Sequence, residues 1–430
     1  MDEKHIIALE IGSSKIKGAV GSVDSNGYVT VKAIEEMPLT DSVRHGQLSN
    51  VSMAANAVRT LLLKIENRLT PRKVEGIYTS ISGRSVAAIQ RQTERRLPAD
   101  TEVTDDIIEA LKREMLSERV PDREVIDVVA REFYVNGAKS DMPVGMYGSE
   151  IRMSGNLIVC RPQLRRNLKL LIEEKLGLEK RGCVVKHLAM GDIVLTSEER
   201  QLGCMLVDFG AETVTVSIYR HGYLQYLQTI PMGSRNITRD LTRLNYVEED
   251  AEALKRQRGN AKGAPAEGSV DDVKMTEFNN YVSHRAAEII ANIKEQISYA
   301  GLTPAELPAG IVIVGGGARL AEFNTLLGDT TKMKVRMGSI ISPRIGIADS
   351  RISPAYSVDV VSILYAAAQA GAQECLSPEP VKEEPIEIIP EPEPVAEPER
   401  QSGFSKAINW LKRQIQEPPE DPDGGDLLDE

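Results

Sequence analysis

Two stretches of the chain repeat one alternation of apolar runs and turns. In the first, the apolar run Ile6–Ile11 meets a tight turn at Gly12-Ser13-Ser14. Strands Lys15–Val23 and Tyr28–Ile34 follow, separated by Asn26-Gly27, a strong hairpin signal. In the second, Cys204–Phe209 meets the turn Gly210-Ala211-Glu212. Strands Thr213–Tyr219 and Tyr223–Ile230 then follow, with His221-Gly222 between them. Both units are rich in Val, Ile, Tyr and Thr, which suit a pleated, half-buried surface. A helix is expected after each, at about Val51–Leu69 and Ile237–Leu244. The duplication predicts two similar α/β halves facing each other across a cleft.

Further on, Phe278–Ala300 carries Ile289, Ile290, Ile293 and Ile297 at helical spacing, with Gly301 as its C-cap. The buried strand Ile311–Val314 runs into Gly315-Gly316-Gly317 and then a helix around Leu320–Leu327. Between the two repeats, Val103–Glu118 reads as helix, Val125–Tyr134 as strand, and Gly155–Leu176 as strand plus helix. That is enough for a small α/β insertion.

The chain has 430 residues, 41% hydrophobic and 27% charged, which is ordinary globular composition. No run approaches the length of a membrane span, and MDEKHIIALE lacks the grammar of a signal peptide. We expect a chain neither secreted nor membrane-spanning. Cys160, Cys183, Cys204 and Cys375 sit at no metal-ligand spacing and read as thiols in a reducing compartment. The net charge of −11 belongs to the end of the chain, because Leu376–Glu430 holds fifteen acids against five bases. The nearly neutral remainder offers no footprint for nucleic acid.

Glycine turns let backbone N–H groups approach a phosphate. In the two repeats the turn joins strand to strand, which excludes both the P-loop and the dinucleotide fingerprint, where a glycine loop opens a helix. Any one such turn is an ordinary hairpin. Two copied hairpins followed by strand–GGG–helix form a more specific set. Facing each other, the hairpins can clamp a polyphosphate, with Gly12, Ser13, Ser14 and Lys15 on one side and Asp208, Gly210 and Thr213 on the other. Glu10 and Asp208 can hold Mg²⁺ through water, and Gly315, Gly316 and Gly317 can approach the nucleoside. Arg285 and Glu288, one helical turn apart, either reach the ribose or adenine or pair with each other at the surface.

This set resembles the actin-like ATPase superfamily, and closely its bacterial cell-division family, FtsA. IIALEIGSSKIKGAV and CMLVDFGAETVTVSIY are similar to the two phosphate motifs, and GIVIVGGGARL to the adenosine motif. VLTSEERQLG, IPMGSRNITRDL, EEDAEALKRQRGNA, SISGRSV and ISPAYSVDVV are the stretches closer to FtsA. The resemblance implies an α/β actin-like fold, with two duplicated ribonuclease-H-like halves around a nucleotide cleft and ATP with Mg²⁺ as ligands. It implies subdomain 1A over 1–84, returning at 184–203 and 351–375, and an inserted subdomain 1C over 85–183. Subdomain 2A would cover 204–245 and 307–350, and 2B would cover 246–306. Three departures stand out. Glu10 replaces the usual Asp, Glu212 places a carboxylate beside the expected phosphates, and Lys186 stands where the family has an acid. No catalytic base can be named, so the resemblance supports nucleotide binding, with at most weak ATP hydrolysis.

The end of the chain has its own pattern. From Pro378 to Pro398, prolines alternate with glutamates, so 376–402 reads as a disordered linker. In 403–417, Phe404, Ile408, Leu411 and Ile415 form one apolar stripe, flanked by Lys412, with Lys406 and Arg413 opposite and Trp410 at the border. Such a helix suits either a membrane surface or a protein groove. The acidic segment 418–430 follows. The resemblance favours the membrane. It also implies self-association into filaments, contacts with other division proteins through 1C, and capture of the C-terminal peptide of the tubulin-like protein FtsZ by 2B. Lys255, Arg256 and Arg258 are candidate contacts there, and Gln257–Val270 reads as a polar loop. The expected role is a peripheral scaffold on the cytoplasmic face of the bacterial inner membrane, at the septum, holding FtsZ there. A pilus-assembly relative and an actin-fold sugar kinase are the alternatives.

Overall fold

The computed structural model describes residues 3–39, 41–263 and 273–378. The amphipathic helix, the acidic tail and nearly all of the linker lie outside the described residues.

The duplication is present in the sheet topology. In the first half, Lys4–Ile11, Lys15–Val23 and Val29–Pro38 form an antiparallel meander. Gly76–Ile81 then joins parallel to Lys4–Ile11, and Glu179–Val185 joins parallel beyond it. The second half copies this order. Cys204–Phe209, Val214–Arg220 and Tyr223–Ile230 form the meander. Gly310–Val314 and Val335–Met337 extend it in parallel. The two hairpin turns also match, with Gly12 N–H donating to the Lys15 carbonyl at 3.0 Å and Gly210 N–H to the Thr213 carbonyl at 2.9 Å.

Side-chain alternation decides what each face meets. In Cys204–Phe209, Met205, Val207 and Phe209 pack with Phe278, Ile290 and Ile293 of the long helix Val273–Tyr299. Cys204 and Leu206 turn the other way, into a core shared with Met190, Ile193 and Val194 of the first half. Asp208 has the same parity as Cys204 and Leu206, so it points toward the first half. The helix Val51–Leu69 starts where Asn50 accepts the Met53 N–H. It buries Ala54, Val58, Leu61 and Ile65 on one face, the period of an amphipathic helix.

The inserted segment has its own core around Val103, Leu111, Met115, Met153 and Leu157. Its strands Ala87–Glu102, Tyr147–Cys160 and Glu124–Val135 lie side by side, with the helix Asp105–Leu116 packed on them. The sheet continues that of the second half, since Ala87 pairs with Gln228 and the Asn156 side-chain amide donates to the Leu224 carbonyl. Two points differ from the sequence reading. Ala87–Glu102 is a long strand that the insertion was not expected to contain. The insertion also ends near Cys160, not at 183. Leu164, Leu168, Leu171 and Ile172 return to the first half's core, and Glu179–Val185 joins its sheet.

Candidate functional site

The two hairpin turns converge on one dipeptide. Ser13 Oγ accepts the Gly46 N–H at 3.0 Å, and the Glu212 carboxylate accepts the His45 N–H at 2.7 Å. His45 and Gly46 form the turn between the short strands Val43–Arg44 and Gln47–Leu48. Both take positive φ, and a side chain at Gly46 would collide with Gly83. Turns from the two halves therefore lie one dipeptide apart, which suits a clamp on a polyphosphate.

Glu212 does not face a ligand as a bare anion. It is buried, with Arg235 and Arg239 each 3.1 Å from one of its oxygens. Burial disfavours this carboxylate, but the His45 N–H and Arg235 outweigh it and lower its pKa below the usual range. The departure at Glu212 is thus compensated inside the protein.

Deeper in the site lies a cluster of buried charges. Lys186, the first residue of the helix Lys186–Val194, holds its Nζ 2.9 Å from Asp208 Oδ2 and 3.5 Å from Glu10 Oε1. His187 Nε2 is 3.3 Å from the same Asp208 oxygen. Glu10 sits opposite Lys17 across the first hairpin, and Lys17 bonds Asp359 and the Tyr356 carbonyl. Burial opposes the charged forms of Lys186, Asp208, Glu10 and His187. Against that penalty, Asp208 and Glu10 raise the Lys186 pKa above the lysine range. Lys186 and a hydrogen bond from His187 likewise overcome burial and lower the pKa of Asp208. Glu10 is raised by burial and by Asp359 and Asp208. His187 is lowered by burial and by Lys186. As water-mediated Mg²⁺ ligands, Glu10 and Asp208 make a poor donor set, since an ammonium already lies between them.

The three glycines of the third turn have different reasons to be glycine. Gly315 has φ +93°, and a Cβ there would lie 2.5 Å from the Phe209 carbonyl oxygen. A Cβ at Gly317 would lie 2.7 Å from the Phe209 ring. Gly316 has helical angles and open space around it. Packing explains the first and the last; nothing among the described residues explains the middle one, where a ligand can approach bare backbone. Just beyond, the Arg319 guanidinium lies 3.8 Å above the Tyr356 ring, tying this turn to the first half.

Other expected site residues have partners within the chain. Lys15 is paired with Glu36 at 2.7 Å on the neighbouring strand. Arg285 and Glu288 form an ion pair, and Arg285 also pairs with Asp240. Lys255 is not a surface contact. It is buried, and it donates to Glu252, Thr238 and the Ser234 carbonyl. Nor is Gln257–Val270 wholly loop, because Glu248–Arg258 is helix and Ala261 N–H bonds the Ala321 carbonyl. Sequence reasoning missed His45, Lys17, Arg319, Tyr356 and Asp359. Tyr356 and Asp359 lie within ISPAYSVDVV, the one signal available for them.

Comparison with known proteins decides the family. A model of the SHS2 domain inserted in FtsA matches residues 83–159, and the model for cell division protein FtsA matches residues 205–360. The cell division protein FtsA of Porphyromonas gingivalis is 31% identical over 349 residues, covering 77% of this chain and 73% of that protein. The chain belongs to the FtsA family. FtsA of Streptococcus pneumoniae is 26% identical, covering 94% of this chain and 95% of its own length. FtsA of Escherichia coli K12 is also 26% identical, covering 85% and 90%. Among solved structures, a PilM–PilN type IV pilus biogenesis complex superposes with TM-score 0.57 at 18% identity, covering 86% of this chain and 98% of that one. That likeness shows the shared actin-like fold. The SHS2 match agrees with the insertion's own core ending near Cys160. The actin-like fold implies nucleotide binding, and FtsA membership makes this a cell-division protein.

Proposed function

We propose that this FtsA-family chain is an ATP-binding scaffold that self-associates and holds FtsZ at the cytoplasmic membrane during division. The observation that carries the nucleotide part is the pair of matching hairpin turns converging on His45–Gly46. The Gly12 and Gly210 N–H groups close the two turns, so the backbone N–H groups of Ser13, Ser14 and residues 211–213 would bind phosphate oxygens, and bare Gly316 would lie against the nucleoside. A bound nucleotide supplies a polyanion that touches both halves and so favours one arrangement of them. Ser13 and Gly46 hold the first turn in place, while Arg235 and Arg239 hold Glu212 aside. Glu10 and Asp208, the carboxylates beside the two turns, are engaged with Lys186 and so are not free to act as a kinase base. FtsZ capture would fall to the long helix Val273–Tyr299 and its neighbours, and membrane attachment to Phe404, Ile408, Trp410, Leu411 and Ile415. The inserted SHS2 domain offers a surface for self-association and other division proteins.

The test is co-pelleting of purified FtsZ with anionic vesicles. FtsZ should pellet when the full chain is present and stay in the supernatant without it, with ATP increasing the yield. FtsZ remaining in the supernatant with the chain and ATP present would overturn the scaffold reading.

A further inference from the structure

Lys186 joins carboxylates from both halves of the molecule. Its Nζ lies 2.9 Å from Asp208 in the second half and 3.5 Å from Glu10 in the first. All three side chains are nearly out of solvent, at 12%, 11% and 5% exposure. A divalent cation coordinated by Glu10 or Asp208, directly or through water, would have to share the space with this ammonium. Two like charges at that separation in a buried site repel strongly. Moving Lys186 aside would strand a buried cation, which is strongly unfavourable. Mg²⁺ also demands near-ideal octahedral oxygen geometry, and among the described residues no group of three His, Cys, Asp or Glu is placed to hold a metal ion.

We infer that the Lys186 ammonium takes the place of the divalent cation, so that the chain binds nucleoside triphosphate without Mg²⁺. Lysine has three N–H donors. Two of them serve Asp208 and Glu10, and the third is left for a phosphate oxygen. His187 reinforces the arrangement by bonding the same Asp208 oxygen, which fixes the carboxylate toward Lys186. The inference rests on the nucleotide cleft proposed above.

The test is equilibrium binding of ATP to the full chain, followed by calorimetry, in EDTA and in Mg²⁺. Wild type should bind with affinities within about threefold of each other in the two buffers, a difference under ~1 kcal/mol. Lys186→Gln frees both carboxylates and removes the fixed charge. Its affinity should fall about tenfold or more in EDTA and recover in Mg²⁺. Wild-type binding that appears only with Mg²⁺ overturns the inference and leaves the cleft intact. So does a Lys186→Gln variant equal to wild type in EDTA. No binding in either buffer overturns the cleft and the inference together. Lys186→Gln leaves two carboxylates without this counter-ion, so Glu10→Gln/Lys186→Gln, which keeps the wild-type net charge of the trio, serves as a companion and is expected to show the same loss in EDTA. Should neither variant fold, the wild-type comparison of EDTA with Mg²⁺ decides by itself.

Discussion

Glu212, in the turn of the second hairpin, accepts the backbone N–H of His45, in the first half, at 2.7 Å. The His45 ring nitrogen Nδ1 also lies 3.0 Å from the Glu212 carbonyl oxygen. A residue that reads from sequence as an obstacle to phosphate is thus a strut between the halves. The side chain is held by Arg235 and Arg239 and by a backbone donor, so its charge is spent within the protein.

We therefore expect Glu212→Ala to destabilise the fold by about 1–3 kcal/mol, the cost of losing charge-assisted hydrogen bonds at a buried acceptor. Arg239→Ala should cost less, because Arg239 is half exposed and surface pairs contribute little. Urea midpoints of the two variants check this. Equal midpoints for wild type and Glu212→Ala would remove the strut.

Acid should weaken the fold through His187. Its folded pKa is depressed below the ordinary value of 6.5, chiefly by burial. Below that value the unfolded chain binds a proton that the folded chain refuses, so stability falls as pH falls. The loss approaches about 1.4 kcal/mol per pH unit. Glu10, whose pKa is raised, acts in the opposite sense, so the comparison needed is with His187→Gln. Thermal melts between pH 7.5 and 5.5 should show a shallower decline for the variant. Parallel curves would exclude His187 as the source.

On the helix Val273–Tyr299, Glu277 and Lys294 are exposed and open to a partner. Charge reversals there, Glu277→Lys and Lys294→Glu, are expected to weaken binding of the FtsZ C-terminal peptide by about tenfold in fluorescence anisotropy. Removing residues 264–270 should leave it nearly unchanged. The reverse ranking would place the peptide elsewhere.

The duplicated hairpins were legible in the sequence because their signals are local. β-branched runs, Asn26-Gly27 and His221-Gly222 define strand and turn within a few residues of one another. The strand Ala87–Glu102 was hidden because one of its faces is solvated, so QRQTERRLPADTE reads as polar and carries a proline. Its partners lie tens of residues away. The end of the insertion was hidden for a related reason, since Glu179–Val185 becomes part of the first sheet only by pairing with Gly76–Ile81. Lys186 could be noticed as a departure from a family pattern. Its role could not be read, because its partner Glu10 is 176 residues away and an ion pair leaves no trace in spacing.

The segment 403–417 is expected to be the membrane anchor. Burying Phe404, Ile408, Leu411 and Ile415 contributes roughly 1.5–3 kcal/mol each at most, offset by the cost of forming a short helix. Seven acids follow Gln416 and repel an anionic surface. One anchor should bind reversibly, and many on one polymer stably. Leu411→Glu should abolish vesicle pelleting and leave ATP binding intact. Trp410 emission should shift to the blue on anionic vesicles. Undiminished membrane association after removal of residues 403–430 would point to the groove-docking alternative.

A nucleotide cleft built from three glycine turns is tested most directly by Gly316→Asp. Gly316 has φ −66° and ψ −32°, and nothing lies within 4 Å of a Cβ placed there. The variant should therefore fold and melt as wild type does, while placing an anion where the nucleoside approaches. Calorimetric titration with ATP should show affinity weakened about tenfold or more, at least 1.4 kcal/mol, in a protein of unchanged melting temperature. Unchanged affinity in the folded variant would contradict the cleft.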